Sequence, residues 1–348
     1  MRRGWWGPPL DDDQRAVLEL IDDLVGSHLS GVGDERPDDV DAARKALAEH
    51  GLWTMGADEA GGGGGADLAT TLVALARLAG TCPALAWASV QAHAAALVLS
   101  GAGRASSGLL EGIHQGAPVA VHPVDPDESG AVEMTGGRIR ATLDRLDAAG
   151  REPRLLLLLD SDTAVAVPPD GVTFGSTVRR TGLDGALTVS CRVDAPVSDG
   201  AVVRGPRVAR ARALLDVGAA ALAAGIAEAA AQAALAYSST REQFGAALTE
   251  LPTVRASLSA QATAARAVLT TSIATGLDQP EAAAAALAPA FDLAVDVAAA
   301  SVQSHGGYGY MVEYGVEGLL RDAVSLRAAA RATEAARTAA RVLVGGDA

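Results

Sequence analysis

Residues 217–237, VGAAALAAGIAEAAAQAALAY, are an alanine-rich run in which Glu228 is the sole charge. Alanine is the strongest helix former, so the run predicts one long helix. A helix with no polar face has to be surrounded by other chain. Its small side chains bury little surface unless neighbouring backbones come very close. The run has the length of a membrane span, but it is only weakly apolar and Glu228 interrupts it, so a buried core helix is the expectation. Composition agrees: 49% of residues are hydrophobic and only 3% aromatic, which points to a core of small aliphatic side chains between tightly packed helices.

The flanking sequence divides the chain into three. From Asp11 to about Ser100 the spacing is helical: DDDQRAVLELIDDLVGSHL opens on aspartates suited to a helix N-terminus, and Leu18, Ile21 and Leu24 share a face. A second helix is predicted over DVDAARKALAEHGL. The glycines Gly61 to Gly65 read as a flexible connector, lacking the Lys and Ser/Thr of a phosphate loop, with a further helix from about Asp67. Between Pro118 and Pro206 short β-like runs, among them APVAVHPV, RLLLLLD, TAVAVP and LTVSCRV, are spaced by Gly, Pro and Asp as in an antiparallel barrel or sandwich. Helical patterning then returns to the end. The expected architecture is α+β, with an N-terminal helical domain (1–117), a middle antiparallel β domain (118–206) and a C-terminal four-helix bundle (207–348).

A formal charge of −14 argues against broad attraction to nucleic acid or an anionic membrane. The N-terminal twin arginines run directly into Pro and Asp, so no secretory signal is expected there. Cys82 and Cys191 stand far apart without a partnering motif, which argues against a disulfide scaffold and suits a reducing, cytoplasmic setting. The six histidines show no metal-ligand spacing, and no metal site is expected.

Two stretches carry candidate chemistry. YSSTREQFGAAL, Tyr237–Leu248, takes the long helix into a turn with Arg241, Gln243, Phe244 and Gly245; SVQSHGGYGYMVEYGVEGLLRDA, Ser301–Ala323, places Gln303, Gly306 and Gly307 ahead of an Arg-Asp-Ala helix. Each alone also reads as a charged helix end followed by a glycine turn. Together, and in this order, they resemble the acyl-CoA dehydrogenase family, with its R-x-Q-F-G turn, Q-x-x-G-G-x-G-Y loop and R-D-A helix. The resemblance extends through AEHGLWTMGADEAGGGGG and the β region to essentially the whole chain.

The resemblance implies FAD, α,β-dehydrogenation of an acyl-CoA thioester and a glutamate base. It further implies that Arg241 pairs with phosphate, and that Gln243, Phe244, Gln303, Gly306 and Gly307 shape a cradle for a neighbouring subunit's FAD. The flavin-facing half departs from the family: VHPVDPDESG (121–130) lacks the Thr-Glu pair, GGRIRATLDRLDAAG lacks an aromatic, and Pro252 stands where the family has Gln. Register from Arg321-Asp322-Ala323 puts the base position on Ala330, with Arg331 in place of glycine. The alternative family base position falls near Leu215. Asp216 and Glu334 are the remaining carboxylates considered as a base. The first should point elsewhere, one residue being about 100° of helix; the second lies one turn past Ala330. Residues 328–343 read as packing helix with Arg331, Arg337 and Arg341 on a solvated face.

The expected function is a degenerate subunit without its own base, completing the FAD site of a homologous catalytic partner. Heteromers of this kind in the family often act on steroid or other bulky acyl-CoA thioesters. Two alternatives stand beside it: a self-sufficient FAD enzyme with a relocated base or altered biosynthetic chemistry, and a flavin-free scaffold.

Overall fold

The computed structural model describes residues 5–29, 36–125 and 132–345. The long apolar run lies in α6 (Arg207–Thr240), which is packed against α3 (Leu68–Ala79), α4 (Pro83–Leu99), α7 (Pro252–Thr275) and α8 (Pro280–His305). Its small residues permit this. A Cβ on Gly225 would stand 1.9 Å from the Ala76 carbonyl oxygen of α3, and one on Gly218 would stand 2.8 Å from Val90 of α4. Two helical segments, Arg207–Thr240 and Pro280–Tyr310, have the length and apolarity of membrane spans, and the apolar window of the first is 94% buried within the protein. Glu228, the interruption, is buried and accepts hydrogen bonds from the Trp6 amide at 3.1 Å and from Gln232 Nε2 at 3.1 Å.

The N-terminal layer adds α1 (Asp12–Gly26), α2 (Pro37–Glu49) and α5 (Ser107–His114). A capping box starts α1: the Gln14 amide donates to Asp11 at 2.8 Å, and the Asp11 amide donates to Gln14 Oε1 at 3.2 Å. The glycine run is not the slack connector its composition suggested. Gly65 and Ala66 amides donate to the carbonyls of Ala57 and Met55 at 2.9 Å each, and a Cβ on Gly63 would lie 2.3 Å from the Ala57 oxygen. Those glycines let the loop fold back onto residues 55–58.

The middle layer is two four-stranded sheets: β1 (Val119–Pro123), β4 (Arg154–Leu158), β5 (Thr163–Ala166) and β8 (Val202–Arg204) in that order, and β2 (Val132–Thr135), β3 (Arg138–Leu146), β7 (Val189–Pro196) and β6 (Val172–Thr177). Pairing is antiparallel except between β1 and β4, which run parallel with Val121 opposite Leu156. Buried polar staples orient this layer. Gln91 of α4 accepts from the Val121 amide at 3.1 Å and donates to the Asp147 carbonyl at 2.6 Å. Arg44 of α2, itself buried, donates to the carbonyls of Gly116 and Ala149.

After α8 the chain makes α9 (Val316–Ala329) and α10 (Ala332–Leu343). The continuous helix expected over residues 328–343 is broken at Ala330–Arg331, where Arg331 takes φ +56°. The Arg-Asp-Ala motif docks α9 against the middle layer: Asp322 accepts from the Leu183 amide at 2.7 Å, Arg321 donates to the Thr181 carbonyl, and a Cβ on Gly182 would meet the Arg321 backbone at 2.5 Å. Burial pushes the Asp322 carboxyl up to about 6. Cys82 and Cys191 are buried thiols.

Candidate functional site

The first site forms where α6 and α8 end. Beyond Thr240, Arg241 leads into a two-residue hairpin, β9 (Glu242–Gln243) with β10 (Ala246–Ala247), whose turn is Phe244 at φ +54° and Gly245 at φ +81°. Helix α8 stops at His305, where Gly306 takes φ +57°. Aromatic packing joins the two ends. The Tyr237 and His305 rings lie 4.4 Å apart between centroids, and Tyr314 closes on both at 6.2 and 6.1 Å. This cluster packs the last turn of α6, from which the hairpin leaves, against the end of α8 and the glycine loop, and no sequence spacing announced it.

The six residues assigned to a cofactor cradle, Arg241, Gln243, Phe244, Gln303, Gly306 and Gly307, are all exposed at this end, and Phe244 is 93% exposed. Tyr310 at 82% and Val312 at 73% extend the surface. Exposed apolar area of this kind marks an interaction face. Space above Gly306 and Gly307 is open, with nothing within 4 Å of a notional Cβ. An anion could reach the backbone there, and with Arg241 exposed at the end of α6 the residues fit a phosphate-bearing group.

The second site is the seam between the middle sheet and the C-terminal helices, where the family pattern puts its base. Ala330 is buried at the end of α9 and offers only a methyl group; Leu215 is buried in the core of α6. Arg331 does not face solvent as part of a charged stripe. Its Nη1 lies 3.2 Å from His122 Nε2 on β1, and burial plus the Arg331 charge hold that imidazole down at about 4, so the neutral ring accepts from the guanidinium. Arg341 also turns inward, 3.9 Å from Asp125, whereas Arg337 is exposed. Residues 126–130 of the departing VHPVDPDESG segment lie outside the described residues.

Asp216 sits in this seam too. One turn before it, Arg212 donates to the carbonyls of Asp160 at 3.0 Å, Val124 at 3.4 Å and Leu158, linking α6 to the ends of β1 and β4. Burial raises the Asp216 carboxyl to about 7, and the neighbouring Arg212 charge opposes the rise only in part. Glu334 belongs to the first turn of α10 rather than to a continuation of α9. A carboxylate there complements the helix N-terminus. Where Thr-Glu is missing, the space holds an imidazole and guanidinium groups, so the seam does not fit a flat flavin ring. Sequence reasoning missed the His122–Arg331 pair because its members are separated by 209 positions. Among the described residues no group of three His, Cys, Asp or Glu side chains is placed to hold a metal ion.

Comparison with known proteins agrees with the fold. Residues 11–106 match the acyl-CoA dehydrogenase N-terminal domain, and residues 205–341 match the acyl-CoA dehydrogenase C-terminal domain. An acyl-CoA dehydrogenase of Bacillus subtilis is 38% identical over 165 residues, covering 44% of this chain and 44% of that protein. The aligned stretch thus spans less than half of that curated relative. The structure of butyryl-CoA dehydrogenase from Megasphaera elsdenii superposes with a TM-score of 0.77 at 21% identity, over 96% of this chain and 99% of the other. A glutaryl-CoA dehydrogenase from Mycobacterium smegmatis, in complex with FADH2, does so at 0.77 and 15% identity, over 97% and 96%. The two matched domains flank a middle β layer in the same helix–strand–helix order, and the turn and loop motifs stand within the second. The chain belongs to the acyl-CoA dehydrogenase family.

Proposed function

We propose that this chain is an acyl-CoA dehydrogenase-like subunit without a catalytic base of its own. It completes the FAD site of a homologous catalytic partner that oxidises an acyl-CoA thioester between Cα and Cβ. The observation that carries the reading is the contrast between the two sites: the Arg241–Phe244 turn and the Gln303–Gly307 loop converge on an exposed face, while Ala330, Arg331 and Leu215 occupy the positions where a base and its cleft are needed.

In such an assembly FAD, held across the subunit interface, supplies the hydride acceptor. Arg241 would offer a charged donor to its phosphate, and Gln243, Phe244, Gln303, Gly306 and Gly307 would shape the cradle, the open backbone at the glycines being accessible to an anion. Proton removal from Cα is left to the partner's carboxylate. A heterotetramer in the cytoplasm, working on a steroid or other bulky acyl-CoA in lipid metabolism, is the setting proposed by analogy with the family.

The visible spectrum of the purified protein tests the reading. The chain alone is expected to be colourless, and to carry flavin absorbance only when co-purified with a catalytic homologue; flavin bound tightly by the chain alone refutes it. One observation favours a second reading, a self-sufficient enzyme: the Asp216 carboxyl, raised to about 7, has the proton affinity of a general base. That reading requires dye-linked acyl-CoA oxidation by the isolated chain, abolished by Asp216→Asn. A flavin-free scaffold would stay colourless in both preparations.

A further inference from the structure

We infer that this chain's own cleft, between β1 and the α9–α10 turn, is closed by an intramolecular plug of Arg331 and His122. Arg331 is a non-glycine residue held at φ +56°, a left-handed conformation that is unfavourable for it and that the surroundings must maintain. In this conformation its guanidinium meets the His122 ring from across the seam at 3.2 Å. The contact is one of several that tie the seam shut. Arg212 holds the β1 and β4 ends through the carbonyls of Val124, Leu158 and Asp160. On the other flank Arg145 donates to the Ala328 carbonyl, and Arg180 bridges Asp147 at 2.7 Å and the Ser325 carbonyl at 2.6 Å. The Nη2 atoms of Arg331 and Arg341 are shielded from solvent, and Ala330, next to Arg331 in the chain, is only 8% exposed.

The plug turns the misfit with a flat flavin ring into a property of the fold. A planar aromatic guest would have to displace a guanidinium–imidazole contact and leave both groups buried without each other, which is unfavourable. The inference is separate from the proposed lending of Arg241. Arg212 and Arg241 stand near opposite ends of α6, about 40 Å apart at 1.5 Å per residue.

Thiol labelling of the whole chain, without flavin or partner, tests the plug. Ala330→Cys places a reporter at a buried position adjoining Arg331, and buried Cys82 and Cys191 serve as internal reporters of unfolding. Maleimide should modify Cys at 330 slowly in the otherwise unaltered protein. It should act at least about tenfold faster when Arg331→Gly, which suits the left-handed backbone, or His122→Ala removes one half of the contact. Equal labelling rates for Ala330→Cys and the exposed-site control Ala328→Cys would overturn the plug, as would an unchanged rate in both opened variants. Should one opened variant also label Cys82, and so report unfolding, the other decides. Because no flavin enters the assay, its failure leaves the lending of Arg241 untouched, and failure of that reading leaves the labelling result standing.

Discussion

Asp216→Asn is expected to change the pH dependence of stability in a defined direction. The ordinary carboxyl value of 3.8 rises to about 7 in the fold, mainly through burial. Below 3.8 the carboxyl is protonated whether the chain is folded or not. Between 3.8 and about 7 the unfolded chain ionises while the folded one does not, so stability falls as pH rises, and the loss levels off above about 7. Moving from about pH 5.5 to about pH 8 crosses roughly 1.5 pH units of that window, at most about 2 kcal/mol at about 1.4 kcal/mol per unit. Asp216 is half-buried beside Arg212, so partial solvent screening reduces this to about 1–2 kcal/mol. Unfolding entropy of about 2.1 cal/mol/K per residue gives about 0.7 kcal/mol/K for the 348-residue chain, and the expected effect is about 1.5–3 °C in the melting midpoint. Thermal unfolding by circular dichroism at both pH values, for both proteins, supplies the test. The variant should gain on the wild type by that amount at the higher pH, and other titrating groups, Asp322 included, cancel in the comparison. A variant-minus-wild-type difference that is the same at both pH values would refute the argument that Asp216 is desolvated.

Arg241→Ala should leave this subunit folded and weaken FAD retention in the complex about ten- to hundredfold, as expected for a lost charged hydrogen-bond partner of ~1.5–3 kcal/mol, while exposed Arg337→Ala has little effect; flavin titration of both assemblies reads the difference. The isolated chain should show no dye-linked acyl-CoA dehydrogenase activity, and Ala330→Glu alone should not create it, because Arg331 and His122 still occupy the seam; measurable turnover in the single variant would contradict this. Gly225→Ala should lower stability by about 1–3 kcal/mol or more, because its methyl would press on the Ala76 carbonyl and force α3 and α6 apart. That corresponds to roughly 1.5–4 °C in melting midpoint, and an unchanged midpoint would mean that α3 and α6 do not approach as closely as described.

Local pattern was enough for the elements that carry their own signals. Asp11 and Asp67 mark helix starts and cap them, with amides donating to their carboxylates at 2.8 and 2.7 Å. The alternation of β3, from Arg138 to Leu146, has its buried positions at Ile139, Ala141, Leu143 and Leu146. Patterns failed where a neighbour far along the chain decides. The glycine run is pinned by carbonyls of residues 55–58, β8 came without a recognisable run, and β1 pairs in parallel with β4 because two intervening strands belong to the other sheet.

The candidate sites divide in the same way. That Arg241, Gln243, Phe244, Gln303, Gly306 and Gly307 stand at exposed helix-end turns was legible because turn chemistry is local: glycine and positive-φ positions follow helix ends within a few residues. The assignment of the base position to Ala330 rests on register counted along one helix. What sequence could not reveal was the direction of the arginines after it. Helical periodicity spread Arg331, Arg337 and Arg341 over a solvated face, yet a single left-handed residue ends α9 and restarts the phase, turning Arg331 to His122 and Arg341 to Asp125. Likewise, counting about 100° per residue does not show the burial beside Arg212 that raises the Asp216 carboxyl, because that burial comes from segments distant in the chain. The sequence by itself determined the helix–strand–helix order, the core helix of small residues and the exposed turn motifs, since each is set by neighbours in the chain. Only the tertiary structure decided which charges meet, because desolvation and pairing depend on distances between segments that the chain brings together by folding.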